Sequence, residues 1–305
     1  MGALETDFSA LASFALTTGA DVVFNEPMSK HTTFQIGGPA AVFIRPEDEE
    51  SLQKISTYCI EQQIPMLALG HGSNMLLSDR GFAGAVIALE AFSSIRVEEN
   101  DVICGAGAML SAVCRFACKH GLSGLEFAYG IPGTVGGAVF MNAGAYGGEM
   151  QDVVKQSCYL DGKITGHFEG PDHQFSYRHS VYSGTKKLIT QIRLHLTPGE
   201  PEKIEARMQE LMGRRRDKQP LNYPSAGSVF KRPVGHYAGT LIERCGLKGT
   251  QIGGAMVSDK HAGFIVNVGG ATCEDVRTLV HKIQDTVLAR TGVRLESEIR
   301  IIGTV

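Results

Sequence analysis

Residues Gly130–Gly147 read GIPGTVGGAVFMNAGAYG, and Gly148 directly after them brings the glycines to seven. No side chain of the stretch is charged. Glycine permits positive φ and lets other groups approach the main chain closely. A dense, uncharged glycine run suits a loop whose backbone N–H groups hold an anion such as a pyrophosphate. One glycine would mark an ordinary turn. Seven, with Pro132, Thr134 and Asn142 among them, point to a ligand cradle.

Outward from this stretch, residues 42–160 alternate apolar strands, glycine turns and short helices. Strands are predicted at Val42–Arg45, Pro65–Leu69, Ala85–Leu89 and Val102–Cys104. Pro46 is expected to open a helix with an acidic first turn (Glu47, Asp48, Glu49, Glu50) and an apolar stripe of Leu52, Ile55, Cys59 and Ile60. A second helix is predicted over Leu110–His120, closed by Gly121 and with Cys114 and Cys118 on one face.

Past Leu196 the character changes, with Pro198, Gly199 and Pro201 marking a boundary. Lys203–Arg215 reads as a charged helix with Ile204, Met208 and Leu211 inward, followed by a loop over Pro220–Ser228. Thr272–Asp275 has the form of a capping box ahead of Val276, Leu279, Val280, Ile283 and Val287 at helical spacing, and Gly292 ends that helix. Arg294–Ile302 alternates as a closing strand, with Leu295, Ser297, Ile299 and Ile301 on one face. The pattern is α+β: a glycine-rich ligand domain and a smaller C-terminal domain.

The chain's 305 residues suffice for two or three cores. A formal net charge of −3 gives no reason to expect nucleic acid or an anionic membrane as partner. Seven scattered cysteines, without CxxC pairs, indicate a reducing compartment and no disulfide framework, and no metal-ligand spacing appears. Glu5 and Asp7 precede any apolar run, so no signal peptide is read, and the cytoplasm is the expected location. Met1-Gly2 with Thr6 satisfies the loose myristoylation pattern, which is common by chance.

Two sites resemble a dinucleotide fingerprint. After Gly70-His71-Gly72 the third glycine position is Met75, and after Gly105-Ala106-Gly107 it is Leu110. Without that glycine the close helix–strand packing of a Rossmann unit fails. Phosphate binding by two separate glycine loops is the remaining reading.

The motifs, in order, resemble one family. They are His31-Thr32-Thr33-Phe34 with Ile36-Gly37-Gly38, Leu69–Asn74, Gly130–Gly147, Tyr177-Arg178, Gly227-Ser228-Val229-Phe230-Lys231 and Ala262–Asn267. Together they are similar to the UDP-N-acetylenolpyruvoylglucosamine reductases over residues 25–303. The short chain between Lys231 and Ala262 resembles the type II form, which lacks an inserted tyrosine-bearing loop. The resemblance implies a two-lobed FAD-binding domain of the vanillyl-alcohol-oxidase (PCMH) type over residues 1–200, with lobes at 1–85 and 86–200. Residues 201–305 would form a UDP-sugar domain.

It also implies non-covalent FAD, NADPH as reductant and UDP-N-acetylglucosamine enolpyruvate as substrate, in peptidoglycan precursor synthesis. The implied flavin contacts are Gly70, His71, Gly72, Ser73, Asn74, Pro132, Gly133, Thr134, Gly136, Gly137, Asn142, Ala143 and Gly144. His71 does not sit where related covalent flavoproteins carry their attaching histidine. The implied catalytic residues are Arg178 as carboxylate and enolate stabiliser, Ser228 as proton donor and Glu298 as polarising group.

From the residues alone, Ser225 is as good a donor as Ser228, Arg178 reads also as part of a surface salt bridge, and Glu298 reads first as a solvated strand carboxylate. Tyr177, Lys231 and Arg232 are candidates for substrate contact, and Arg214-Arg215-Arg216 could meet a phosphate. Two other readings remain: an FAD-linked oxidase of the same superfamily, and a non-catalytic nucleotide-binding protein.

Overall fold

The computed structural model describes residues 8–303, so Met1, Gly2 and Thr6 of the acylation pattern lie outside the described residues. The chain divides into two compact units. Among the described residues, the first gathers 8–24, 41–71 and 83–214; the second gathers 25–40, 72–82 and 215–303. The units are therefore not sequential. Two early segments fold with the C-terminal residues, where a linear reading puts a single boundary near residue 200. The crossings at 24/25, 40/41 and 82/83 fall inside or at the ends of strands Asp21–Pro27, Pro39–Arg45 and Phe82–Ala88.

The first unit holds a five-stranded antiparallel sheet in the order Ile164–Glu169, Val154–Asp161, Leu188–His195, Asp101–Gly105, Ile95–Glu98. Asp101–Gly105 is buried at every position, as expected of a strand covered on both faces. A four-stranded sheet runs Asp21–Pro27, Pro39–Arg45, Phe82–Ala88, Met66–Leu69, and its last pair is parallel.

The helix predicted from Pro46 starts later, at Glu49–Glu61. Asp48 is its N-cap and accepts the Ser51 amide at 2.8 Å, so part of the acidic run is cap rather than first turn. Leu52, Ile55 and Cys59 are buried, whereas Ile60 is only half-buried. Leu110–Lys119 forms as expected and buries Cys114 and Cys118. Gly121 follows at φ 66°. The charged helix runs Pro201–Lys218 with Ile204, Met208 and Leu211 buried.

Gly105 and Gly107 have a packing reason. A Cβ there would stand 2.2 Å from Phe92 O and 1.7 Å from Leu89 O respectively. They admit a crossing backbone instead of opening a nucleotide fingerprint.

In the second unit, Gln251–Ile252, Ala255–Val257 and Ile265–Asn267 form a three-stranded antiparallel sheet. The long helix Cys273–Thr291 packs Val276, Leu279, Ile283 and Val287 into the core of this unit. Thr272 and Asp275 close the capping box, and Gly292 caps the other end at φ 73°.

The closing strand is shorter than its alternation predicts. Only Arg300–Ile302 forms a ladder, parallel to Met75–Leu77. Residues 296–298 bond the Val229–Lys231 segment instead, through an isolated bridge between Phe230 and Ser297. All seven cysteines are free thiols. Among the described residues no helix is long and apolar enough to cross a membrane, and no cluster of metal-ligating side chains occurs.

Candidate active site

The two glycine loops of the first unit touch. A Cβ on Gly70 would stand 2.5 Å from Thr134 Oγ1, so only hydrogen fits there. Thr134 forms an isolated antiparallel bridge with Met109, flanked by bonds from Leu110 N to Gly133 O (3.0 Å) and from Val135 N to Ala108 O (2.9 Å). In that pattern the central residue's own N–H points away from its partner.

The next amides are engaged: Gly136 N donates to Ala106 O (2.9 Å) and Gly137 N to Thr134 Oγ1 (3.3 Å). Gly133 and Thr134 are buried residues, yet their amides donate to no acceptor among the described residues; those of Gly70 and His71 also find none, but these two residues are exposed. Buried N–H groups without acceptors are rare. Buried amides with no intramolecular acceptor, as at Gly133 and Thr134, fit an anionic ligand such as a flavin pyrophosphate. Pro132 lies exposed beside them, and Gly133 needs its glycine at φ 137°.

The first glycine loop divides between the units. Gly70 and His71 belong to the first; Gly72, Ser73 and Asn74 belong to the second. There a Cβ on Gly72 would lie 2.2 Å from His31 O, and Gly72 O accepts the Thr33 amide. Asn74 borders Glu298: its Nδ2 donates to Glu298 O at 3.4 Å.

Asn142 is fully buried and engaged at each end. Its Nδ2 donates to Glu149 Oε2 and to Ser176 O, both at 3.1 Å, and its Oδ1 accepts the Gln151 amide at 2.9 Å. Ala143 N donates to Ala138 O, and its carbonyl accepts the Met150 amide. Gly144 lets Glu149 approach and accepts Arg178 Nη2 at 3.5 Å. This half of the glycine segment acts as a strut for the Arg178 loop.

Ser176, Tyr177, Arg178 and His179 make a two-residue turn. Ser176 and His179 exchange both backbone bonds at 3.1 Å. Arg178 sits at φ 57°, a left-handed conformation disfavoured for a non-glycine residue by about 1–2 kcal/mol. Its guanidinium stands 5.2 Å from the Tyr177 ring centroid. Such strain persists only where the surroundings impose it, and it concentrates at functional sites.

In the second unit, Ser228 lies on an extended segment between two others. On one side it bridges Phe264, with Val229 N donating to Gly263 O. On the other, Glu298 N donates to Val229 O (2.7 Å) and Lys231 N to Glu296 O (2.9 Å). Ser228 and Glu298 are thereby brought onto adjacent extended segments. The Ser228 hydroxyl donates only a long bond, 3.3 Å, to Phe230 O.

Ser225 occupies a different setting: its amide donates to Thr33 O, and its carbonyl accepts Thr33 Oγ1 at 2.7 Å. Lys231 reaches Glu296 at 3.4 Å. The Arg232 guanidinium lies 4.0 Å from the Tyr237 centroid, beside the fully exposed Val234. Arg214 pairs with Glu210 on its own helix, and Arg216 uses its carbonyl to accept Lys260 Nζ.

Two supporting side chains escaped the sequence reading. Thr33 holds the loop before Ser228, although it lay within a quoted motif. His261 accepts the Gly263 amide on Nδ1 at 3.1 Å, and burial pushes its pKa down, which favours the neutral ring. Nothing in its sequence context distinguishes it from the other histidines.

Residues 219–302 match the model of the UDP-N-acetylenolpyruvoylglucosamine reductase C-terminal domain, and residues 40–163 match an FAD binding domain. A UDP-N-acetylenolpyruvoylglucosamine reductase of Caldanaerobacter subterraneus subsp. tengcongensis is 47% identical, covering 92% of this chain and 93% of the relative. The Heliobacterium modesticaldum protein of the same name is also 47% identical, covering 91% and 90%. The crystal structure of the UDP-N-acetylenolpyruvylglucosamine reductase from Thermus caldophilus superposes with a TM-score of 0.80 at 34% identity, covering 93% of this chain and 99% of that one.

Proposed function

The chain belongs to the UDP-N-acetylenolpyruvoylglucosamine reductase family, and from that premise we propose how its residues carry the reaction. The enzyme is an FAD-containing oxidoreductase of peptidoglycan precursor synthesis. It reduces UDP-N-acetylglucosamine enolpyruvate to UDP-N-acetylmuramate, with NADPH as reductant. We place the reaction in the cytoplasm, where NADPH and nucleotide sugars are available.

FAD, when bound, would supply the two-electron chemistry that links NADPH to the enolpyruvyl group. The open amides of Gly70, His71, Gly133 and Thr134 would hold its pyrophosphate without a covalent link. Gly136, Gly137, Asn142, Ala143 and Gly144 shape and brace the cradle. Ser73 and Asn74 complete the loop in this reading.

Hydride addition at the terminal carbon leaves negative charge on the neighbouring carbon, delocalised into the carboxylate. Arg178 offers a fixed fork of donors to those carboxylate oxygens. Preorganised donors of this kind are usually the largest catalytic term. The Ser228 hydroxyl gives its proton to the carbanion carbon. A serine is a weak acid, but the acceptor is strongly basic and the hydroxyl is bound only loosely, at 3.3 Å. Glu298, on the adjacent segment, polarises the enediolate. Tyr177, Lys231 and Arg232 contact the substrate in this assignment.

The observation that carries it is Arg178 itself, a cation held in a disfavoured backbone conformation beside Gly144. The test is the visible spectrum of the purified protein under anaerobic conditions. The flavin band should bleach with NADPH and return only when the enolpyruvyl sugar is added. Reoxidation by oxygen with indifference to that sugar would identify an FAD-linked oxidase instead. A bound flavin that NADPH cannot reduce would favour a non-catalytic nucleotide-binding protein.

A further inference from the structure

Next to the arms of the Arg178 turn in sequence, His173 and Tyr182 join Ser157 in a fully buried chain of three polar side chains. Ser157, on the strand Val154–Asp161, places its Oγ 2.6 Å from Tyr182 Oη and 2.8 Å from His173 Nε2. His173 Nδ1 stands 3.1 Å from Gly170 O. Ser157, His173 and Tyr182 are each at 0% exposure.

The bonding fixes its own direction. A carbonyl can only accept, so His173 Nδ1 carries a proton, and in the neutral ring that burial favours Nε2 is the acceptor. Ser157 then donates to Nε2, and its remaining lone pair accepts the Tyr182 hydroxyl. Every polar atom is satisfied with a neutral histidine, and burial pushes the His173 pKa down, in the same direction.

His173 and Tyr182 flank the Arg178 turn in sequence, one on each arm. Val181 N donates to His173 O at 2.7 Å, closing the arms, and Ser176 and His179 close the tip. The outer side of the excursion is tied to the glycine-rich segment by Asn142 to Ser176 O and by Ser180 Oγ to Phe140 O at 2.8 Å. The inner side is tied to the sheet by this chain. A residue at φ 57° needs constraint from its surroundings to stay there.

We propose that Tyr182, Ser157 and His173 are positioning residues that hold Arg178 in its working conformation. This inference rests on the carboxylate role assigned to Arg178 above.

The experiment compares Tyr182→Phe, Ser157→Ala and Arg178→Lys with the holoenzyme, by amide hydrogen exchange and by the two half-reactions measured separately. Tyr182→Phe keeps every ring atom and removes one hydroxyl, and Ser157→Ala provides a second break in the same chain. In both, exchange across residues 174–181 should rise at least tenfold while residues 70–71 and 133–138 stay within twofold. Reduction by NADPH should stay within twofold, and reoxidation by the enolpyruvyl sugar should slow about tenfold, in its maximal rate more than in its half-saturating concentration.

Unchanged exchange at 174–181, or equal slowing of both half-reactions, would overturn the proposal. Normal reoxidation in Arg178→Lys would instead overturn the role of Arg178, with the exchange result still deciding whether the chain anchors the turn.

Discussion

Gly70→Ala tests the cradle directly. The added carbon would stand 2.5 Å from Thr134 Oγ1, 3.2 Å from its Cγ2 and 3.4 Å from its Cβ. Ordinary contact begins near 3.5 Å, so Thr134 must retreat by about 1 Å. It has little freedom to do so. Its carbonyl accepts the Ala138 amide at 2.9 Å, and its neighbours Gly133 and Val135 are bonded to Leu110 and Ala108. Overpacking of a constrained site costs about 1–3 kcal/mol.

The retreat displaces the open amides of Gly133 and Thr134, so the cost should appear in flavin affinity. At about 1.4 kcal/mol per tenfold, FAD should bind about 5- to 150-fold more weakly. The assay is titration of flavin-stripped protein with FAD, followed by quenching of flavin fluorescence. Thr134→Ala removes the nearest atom. It loses an N-cap bond worth only about 0.5–1 kcal/mol, because that bond is long at 3.3 Å. The double variant should therefore recover part of the loss, with an interaction energy of about 0.5 kcal/mol or more. Unchanged affinity in Gly70→Ala, or strict additivity in the double variant, would refute the contact argument.

Ser228→Ala should leave reduction by NADPH intact and slow reoxidation by substrate about 10²- to 10⁴-fold, the usual worth of a positioned acid; equal slowing of both halves, seen by stopped flow, removes Ser228 as donor. Arg178→Lys keeps the charge but loses the fork, and should slow reoxidation about 10- to 100-fold with little change in melting temperature; near-normal turnover would make Arg178 structural. Denaturation in acid should release all flavin into the supernatant, because His71 forms no covalent link; flavin retained on the protein would contradict that.

Acid stability should depend on Asp101. Burial raises its pKa, but His195 at 2.6 Å, Arg193 at 2.9 Å and Lys155 at 3.0 Å outweigh that and hold it well below the usual carboxylate range. A depressed folded pKa stabilises above the unfolded value of about 3.9 and is lost as pH falls below it. Asp101→Asn should cost about 2 kcal/mol at pH 7 and flatten the pH dependence of unfolding below pH 4; an unaltered dependence would show that the cluster adds nothing.

Much of this was legible in the chain. The capping box at Thr272, the apolar stripe after it and Gly292 defined a helix because each signal is local. The helix expected over Lys203–Arg215 followed from its own periodicity for the same reason, and it forms over Pro201–Lys218. The start of Glu49–Glu61 was hidden because four acids in a row do not show which one caps. The closing strand was overextended because alternation reports which side chains face inward, not which neighbour accepts the backbone. Residues 296–298 alternate correctly but bond the Ser228 segment.

The two-unit division was invisible to a linear boundary. Segments 25–40 and 72–82 carry no composition shift, and their membership depends on contacts such as Thr33 with Ser225. The backbone strain at Arg178 has no sequence signature either, since neither Ser176 nor His179 requires a left-handed residue between them.

The glycine-rich segment shows why composition alone could not divide labour within the site. Both halves are rich in small residues, but they differ at particular positions in hydrogen bonding. Around Gly133 and Thr134, buried amides lack acceptors. From Asn142 to Gly144, backbone and side-chain groups engage their own loop and the turn that carries Arg178. A donor that is open can bind a ligand, and one that is engaged can only transmit position. The same segment thus leaves amides open at one end and braces the Arg178 turn at the other.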